Sequence, residues 1–178
     1  MIKIGNFFWA SLIPKHWVLG LATLGGVGRS KYAPGTLGSL LGILWWVTVF
    51  TSVHGISYLI LMVLSLYFTA GICEEAAMRI GKKDPSEVIL DEFVAIPLCF
   101  VSVEVYFETV QPWIILLLGF GLFRLFDIWK PFPISRLDKI EGGWGILLDD
   151  VGAALISCVI LHLFLGFGGV EWINHFLS

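Results

Sequence analysis

The sequence predicts an all-α protein, a polytopic membrane helix bundle of about five spans preceded by an N-terminal interfacial or re-entrant helix. Three observations predict it. The chain of 178 residues is 57% hydrophobic and only 14% charged, where a soluble domain carries roughly 25% charged residues, and its mean hydropathy is +0.88. Its 11 Lys and Arg fall in three clusters separated by long apolar runs. Many of its 8 Trp, including Trp9, Trp17, Trp45, Trp46, Trp113, Trp144 and Trp172, stand near the ends of those runs, where interfacial anchors collect.

The opening stretch MIKIGNFFWASLIPKHW lacks a strong signal-peptide core before Pro14 and reads as an amphipathic or interfacial lead-in. Trp17 to Gly28 is apolar but too short to cross alone, and it contains Gly20, Gly25, Gly26 and Gly28, which favours a re-entrant or interfacial helix. Leu37 to Val53 is the first span, at the lower limit of roughly 17 residues. Thr51, Ser52, His54 and Gly55 supply a turn, and Ile56 to Cys73 is the second span. Glu74 to Leu90 is polar, a loop or a helix end outside the lipid. A third span starts at Phe93 and must continue past Glu104 toward Phe107 to be long enough. Pro112 marks a turn and Trp113 to Phe126 runs back. Asp127 to Gly145 is a polar loop rich in Pro and Gly, and Ile146 to about Phe167 is the last span. The chain is therefore expected to form one domain over 1–178: a lead-in and Gly-rich segment over 1–36, a membrane-helix core over 37–167 and a C-terminal tail over 168–178.

Five spans starting at Leu37 put Lys3, Lys15, Arg29, Lys31, Arg79, Lys82, Lys83, Arg124, Lys130, Arg136 and Lys139 all on one side. By the positive-inside rule that side is cytoplasmic, with the N-terminus, and the C-terminus lies outside. Asp91, Glu92, Asp127, Asp138, Asp149 and Asp150 gather at the same boundary, at or near the ends of apolar segments. Carboxylates there are costly unless paired, hydrated or metal-bound. The pattern points to a polyanionic, metal-binding site on one face.

Four constellations carry that reading. Asp91 and Glu92 open the apolar run FVAIPLCF, where they either cap a helix or offer carboxylates to a hard cation such as Mg²⁺. In FRLFDIWKPFP, Arg124, Asp127 and Lys130 are spaced i, i+3, i+6 on one helical face, and Pro131 and Pro133 stop the helix. They form either a salt-bridged helix end or a metal ligand, Asp127, flanked by two phosphate contacts. In LDKIEGGWGILLDD, Asp138 is a loop charge or a participant in the chemistry, while Asp149 and Asp150 have apolar residues on both sides, which marks them as functional candidates. In KYAPGTLGSLLG, Pro34-Gly35 marks a turn, Thr36 is placed to cap the following helix, and the amides from Gly35 are candidates for phosphate binding. Gly38 and Gly42 serve equally as a packing face.

Other polar residues are weaker candidates. Glu74 and Glu75 end the second span and either enter the site or stay solvated. Cys73, Cys99 and Cys158 show no metal spacing and read as small packing residues. His16, His54, His162 and His175 are scattered without ligand spacing.

With these motifs the chain resembles the phosphatidylglycerophosphatase A family. The matching segments are APGTLGSL, ILDEFVAIP, FRLFDIWKPFPISRLD and GGWGILLDD followed by VGAA, in family order over roughly Trp17 to Leu163. The resemblance implies a Mg²⁺-dependent phosphatase of the bacterial inner membrane that converts phosphatidylglycerol phosphate to phosphatidylglycerol at the cytoplasmic face. It implies that Asp91, Glu92, Asp127, Asp149 and Asp150 hold the metal, with Arg124 and Lys130 on phosphate. Asp138 is a separate candidate, as a ligand, a proton carrier or an orienting residue. The expected partners are the phospholipid substrate and the bilayer, with no nucleic acid. Some family members carry a His-Gln pair where this chain has Glu74-Glu75, which argues against an essential ligand there. Another lipid or prenyl phosphomonoester is an alternative substrate, and a cation transporter is a lesser alternative class. The sequence lacks the nucleophile signatures of aspartyl-phosphate and cysteinyl-phosphate enzymes, which favours water as the nucleophile over a covalent aspartyl intermediate.

Overall fold

The computed structural model describes residues 7–137 and 139–177, and among them every regular element is helical. The lead-in forms two short helices, α1 (Phe8–Ser11) and α2 (Lys15–Ala22), separated by Pro14. Val18 and Ala22 of α2 pack on Ile72, Cys73, Ala76 and Ala77 of α4 (Ile56–Ile80). Arg79 ties the lead-in down: its guanidinium donates to the carbonyls of Ser11 (3.3 Å) and Ile13 (2.9 Å) while Nε donates to Glu75 Oε1 (2.6 Å).

The chain then passes five times between two ends of a bundle. The passages are α3 (Pro34–Val49), continued by a 3-10 turn to Ser52, then α4, α5 (Leu90–Cys99) with a 3-10 turn at Val103–Tyr106, α6 (Pro112–Trp129) and α8 (Gly143–Phe164). A short helix, α7 (Ile134–Leu137), bridges the last two and packs on α8 beside Gly152. At one end Gly35 meets Glu92, Glu74 meets Gly143 and Lys130 meets Asp149. At the other, Val53–Leu59 and Val101–Glu104 line a common cleft.

Four helical stretches, Pro34–Ser52, Ile56–Ile80, Pro112–Trp129 and Gly143–Phe176, are long and apolar enough to cross a membrane. The third passage is not one of them and differs from the continuous span expected over Phe93 to Phe107. Pro97 lies inside α5 and removes a backbone donor, and Ser102 is held left-handed (φ +57°), so the helix ends at Cys99 and a tight turn covers the remaining depth. Burial between neighbours makes this irregular backbone tolerable: Cys99, Phe100 and Val103 are fully buried. Tyr58 donates its hydroxyl to Pro97 O (2.6 Å), and His162 Nε2 lies 2.8 Å from Val101 O.

Lipid offers helices no hydrophobic drive to associate, so close approach through small residues matters. On α3, a side chain at Gly38 or Gly42 would collide with the backbone of α5, 2.9 Å from Ile89 O or 2.6 Å from Phe93 O. The interior is filled by Trp46, Phe50, Phe100, Ile115, Phe123 and Leu161. Leu44, Val63, Leu117 and Val159 point outward and remain well exposed, as lipid-facing side chains should.

The helix expected to reach about Phe167 turns there. Phe167 leaves helical geometry and Gly168 adopts φ +103°. The expected tail over 168–178 thereby begins as a helix, α9 (Val170–Leu177), that folds back. Its Ile173 enters the core, and Asn174 Nδ2 donates to Thr109 O (3.2 Å).

Candidate active site

The site lies at the end of the bundle where four elements converge: the N-termini of α3 and α5, the C-terminus of α6 and the second turn of α8. Pro34 starts α3 because its fixed φ suits the first helical position and its missing N–H costs nothing there. Ala33 is therefore the N-cap, and Thr36, expected at the cap, is the third residue of the helix, so its side chain is not the capping group. The amides of Gly35 and Thr36, at the open end of the helix, have no carbonyl four residues back within the helix to bond. Such amides favour an anion.

Gly35 allows α5 to approach. A Cβ there would overlap Glu92 Oε1 and lie 3.3 Å from Arg124 Nη1. The glycine brings an anion-binding helix end, a carboxylate and a guanidinium to one point. Ser39, one turn further on, is fully buried; its hydroxyl donates to Gly35 O (2.9 Å) and lies 3.4 Å from Arg124 Nη1.

Asp91 and Glu92 occupy the first turn of α5 and both reach the same space. Together with Asp150 of α8 they offer oxygen atoms that all lie within 4.8 Å of one another. Asp91 and Asp150 are buried, and Asp91 Oδ1 and Glu92 Oε2 are buried atoms with no hydrogen-bond partner among the described residues. Three carboxylates this close repel strongly unless protons or a cation lie between them. A divalent ion at 2.0–2.1 Å from each oxygen sets ligand pairs at most about 4.2 Å apart, so a small closure of this group suits Mg²⁺.

The other two carboxylates expected to hold metal, Asp127 and Asp149, flank this group, each on a cation. Arg124 Nη1 lies 2.6 Å from Asp127 Oδ2 and 3.9 Å from Glu92 Oε1. Lys130 Nζ lies 2.5 Å from Asp149 Oδ2. Lys130 ends α6 in the left-handed region (φ +46°), with Pro131 next. That conformation is unfavourable for a side-chain-bearing residue, and here it turns the ammonium back toward α8. Arg124 Nε is buried and has no hydrogen-bond partner among the described residues. A guanidinium carries five N–H donors and an ammonium three, so each can bind more than one oxygen. Asp138, a candidate from the sequence, lies outside the described residues.

Glu74 and Glu75 are buried, not solvated, and stand apart from the three-carboxylate group. Glu74 accepts a hydrogen bond from Gly143 N (3.0 Å), so a carboxylate of α4 caps the helix that carries Asp149 and Asp150. A Cβ on Gly143 would run into Ala70 O, which fixes how closely α4 and α8 meet. Sequence reasoning missed Ser39 and this capping role. The i, i+4 spacing of Gly35 and Ser39 is the one available hint for the first; nothing local signals the second.

Comparison with known proteins gives matches over most of the chain. A family model described as phosphatidylglycerophosphatase A matches residues 20–165. A phosphatidylglycerophosphatase A of Escherichia coli is 33% identical over 148 residues, 83% of this chain and 80% of that protein. One of Haemophilus influenzae is 35% identical over 137 residues, 76% of this chain and 81% of that protein. A Bacteroides thetaiotaomicron protein, provisionally named a phosphatidylinositol-3-phosphatase, is 30% identical over 141 residues, 76% of this chain and 86% of that protein. No solved structure matches the chain.

Proposed function

Because the chain belongs to the phosphatidylglycerophosphatase A family, and is thus a lipid phosphatase, we propose that it hydrolyses phosphatidylglycerol phosphate to phosphatidylglycerol and phosphate, with Mg²⁺, at the cytoplasmic face of a bacterial inner membrane. The observation that carries the reading is the convergence of Asp91, Glu92 and Asp150 beside Arg124 and Lys130 at one end of the bundle.

Hard carboxylate oxygens with little room suit Mg²⁺. Asp91, Glu92 and Asp150 would hold it, with Asp127 and Asp149 adjacent. The bound ion would supply positive charge to the phosphoryl oxygens as they become more negative in the transition state.

The chain's own residues do the rest. The amides of Gly35 and Thr36, Arg124 and Lys130 bind the phosphoryl group. Asp127 fixes the Arg124 guanidinium from three residues away, and Asp149 fixes the Lys130 ammonium. A carboxylate of the cluster takes a proton from the attacking water as its oxygen bonds to phosphorus; the P–O bond to glycerol breaks, and the carboxylate returns that proton to the glycerol oxygen as phosphate is released. The acyl chains stay in the lipid beside the outward apolar residues of the bundle. Cytoplasmic sidedness rests on the described Lys and Arg collecting at this end.

The test is phosphate release from detergent-dispersed phosphatidylglycerol phosphate by wild type and Asp127→Asn, with phosphatidate, a prenyl monophosphate and phosphatidylinositol 3-phosphate run beside it. The proposal expects the first substrate to be turned over fastest and the variant to lose most activity. A faster rate on another monoester reassigns the substrate, and no release from any of them by folded protein removes the reading.

A further inference from the structure

We propose a second anionic-lipid site, in the lead-in, separate from the phosphatase centre. Leu24, Gly25 and Gly26 take positive φ in succession (+47°, +69°, +101°), and this reverses the chain after α2. The reversal is held by Gly25 N bonding Gly20 O (2.7 Å) and Gly28 N bonding Thr23 O (2.9 Å). It lays Arg29 across from Lys15 and His16 and leaves a cleft of about 600 Å³ between them, floored by Thr23 and the glycines. No carboxylate lines this cleft among the described residues. Glu87, whose backbone lies against Gly28, is paired with Lys82 at 3.9 Å.

The occupant follows from what surrounds the cleft. Phe8 (70% exposed), Leu12 (70%), Trp17 (61%) and Leu21 (48%) project from the segment of α1 and α2 and stay largely exposed among the described residues. Large apolar side chains next to cations are the composition of a segment lying in a membrane interface. The buried face of α2 packs on the part of α4 nearest the catalytic end, so the cleft opens at headgroup level. The ligand class is an anionic phospholipid, its phosphate between Lys15, His16 and Arg29 and its chains along Trp17 and Leu21. Nothing in the phosphatase centre lines the cleft, so the site does not rest on the reaction assigned above.

The experiment uses the full chain in phosphatidylcholine nanodiscs doped with phosphatidylglycerol that carries a photoreactive acyl chain, with crosslinks mapped by peptide. Wild type should label the peptide containing Lys15 to Arg29 saturably. Lys15→Gln/Arg29→Gln should raise the half-saturating lipid fraction about 30-fold, on roughly five-fold per cation near a charged surface. Arg29→Gln alone, a change at an exposed side chain, should give about five-fold, and turnover should stay at the wild-type rate. Lys83→Gln/Lys139→Gln, the same charge loss at two exposed side chains elsewhere on this side, should change nothing. The proposal is overturned if the double variant labels like wild type, if the control variant loses as much, if a matching photoreactive phosphatidylcholine labels equally well, or if excess inorganic phosphate abolishes labelling, since the last marks a free-phosphate site.

Discussion

Gly35→Ala adds one carbon at the centre of the proposed site. The new Cβ overlaps Glu92 Oε1 and lies 3.3 Å from Arg124 Nη1. Both are ends of flexible side chains, so α3 and α5 can stay packed while the two groups swing aside. Restoring ordinary contact moves the Glu92 carboxylate by roughly 1 Å, and a misplacement of that size costs about 100-fold in rate, or about 2.7 kcal/mol of barrier. Stability should hold, because Ala is favoured over Gly in a helix by about 1 kcal/mol. The assay is phosphate release from detergent-dispersed phosphatidylglycerol phosphate, with the thermal unfolding midpoint measured on the same sample. Gly121→Ala is the control, since a Cβ there meets nothing within 4 Å, and it should turn over at the wild-type rate. A folded Gly35→Ala with wild-type kcat would refute the placement of Glu92 and Arg124 against the start of α3.

Three further outcomes are expected. Lys130→Gln removes the ammonium from Asp149 Oδ2 and from phosphate, and should lower kcat about 100- to 1,000-fold, the usual cost of one electrostatic contact to a transition state; equal kcat in a single-turnover assay would remove Lys130 from the chemistry. Glu74→Gln keeps the shape but weakens the charged cap on Gly143 N, so denaturant unfolding should show a loss of about 1 kcal/mol, and no loss would mean the carboxylate does not secure α8. Mg²⁺ at about 100 times its dissociation constant should stabilise wild type by about 2.7 kcal/mol, seen as a raised unfolding midpoint, but not Asp91→Asn/Asp150→Asn; equal shifts in both would place the ion elsewhere.

Much of the fold is legible in the sequence because apolar length and turn residues act locally. The runs from Leu37, Ile56, Trp113 and Ile146 each became a long helix. The third passage was harder to read, since Pro97 and the left-handed Ser102 shorten the helix and only burial by neighbouring helices makes that tolerable. The reversal at Gly168 was equally hidden inside an apolar stretch. The carboxylates stood out because charge at an apolar boundary is expensive, yet their grouping was not readable. Whether Asp149 meets a cation or joins Asp91 depends on how α6 ends, and that is set by the turn at Lys130. Glu74 read equally as a site residue or a solvated one, and its capping role was hidden because its partner, Gly143 N, is far away in sequence.

The most direct test of the central claim is the initial rate of phosphate release from phosphatidylglycerol phosphate as Mg²⁺ is titrated into chelator-treated wild type and Asp150→Asn. The account predicts no release before Mg²⁺ is added, a saturable rise in wild type, and at least about a 100-fold lower plateau in the variant. Full activity in chelator, or a folded Asp150→Asn that follows the wild-type curve, would contradict it.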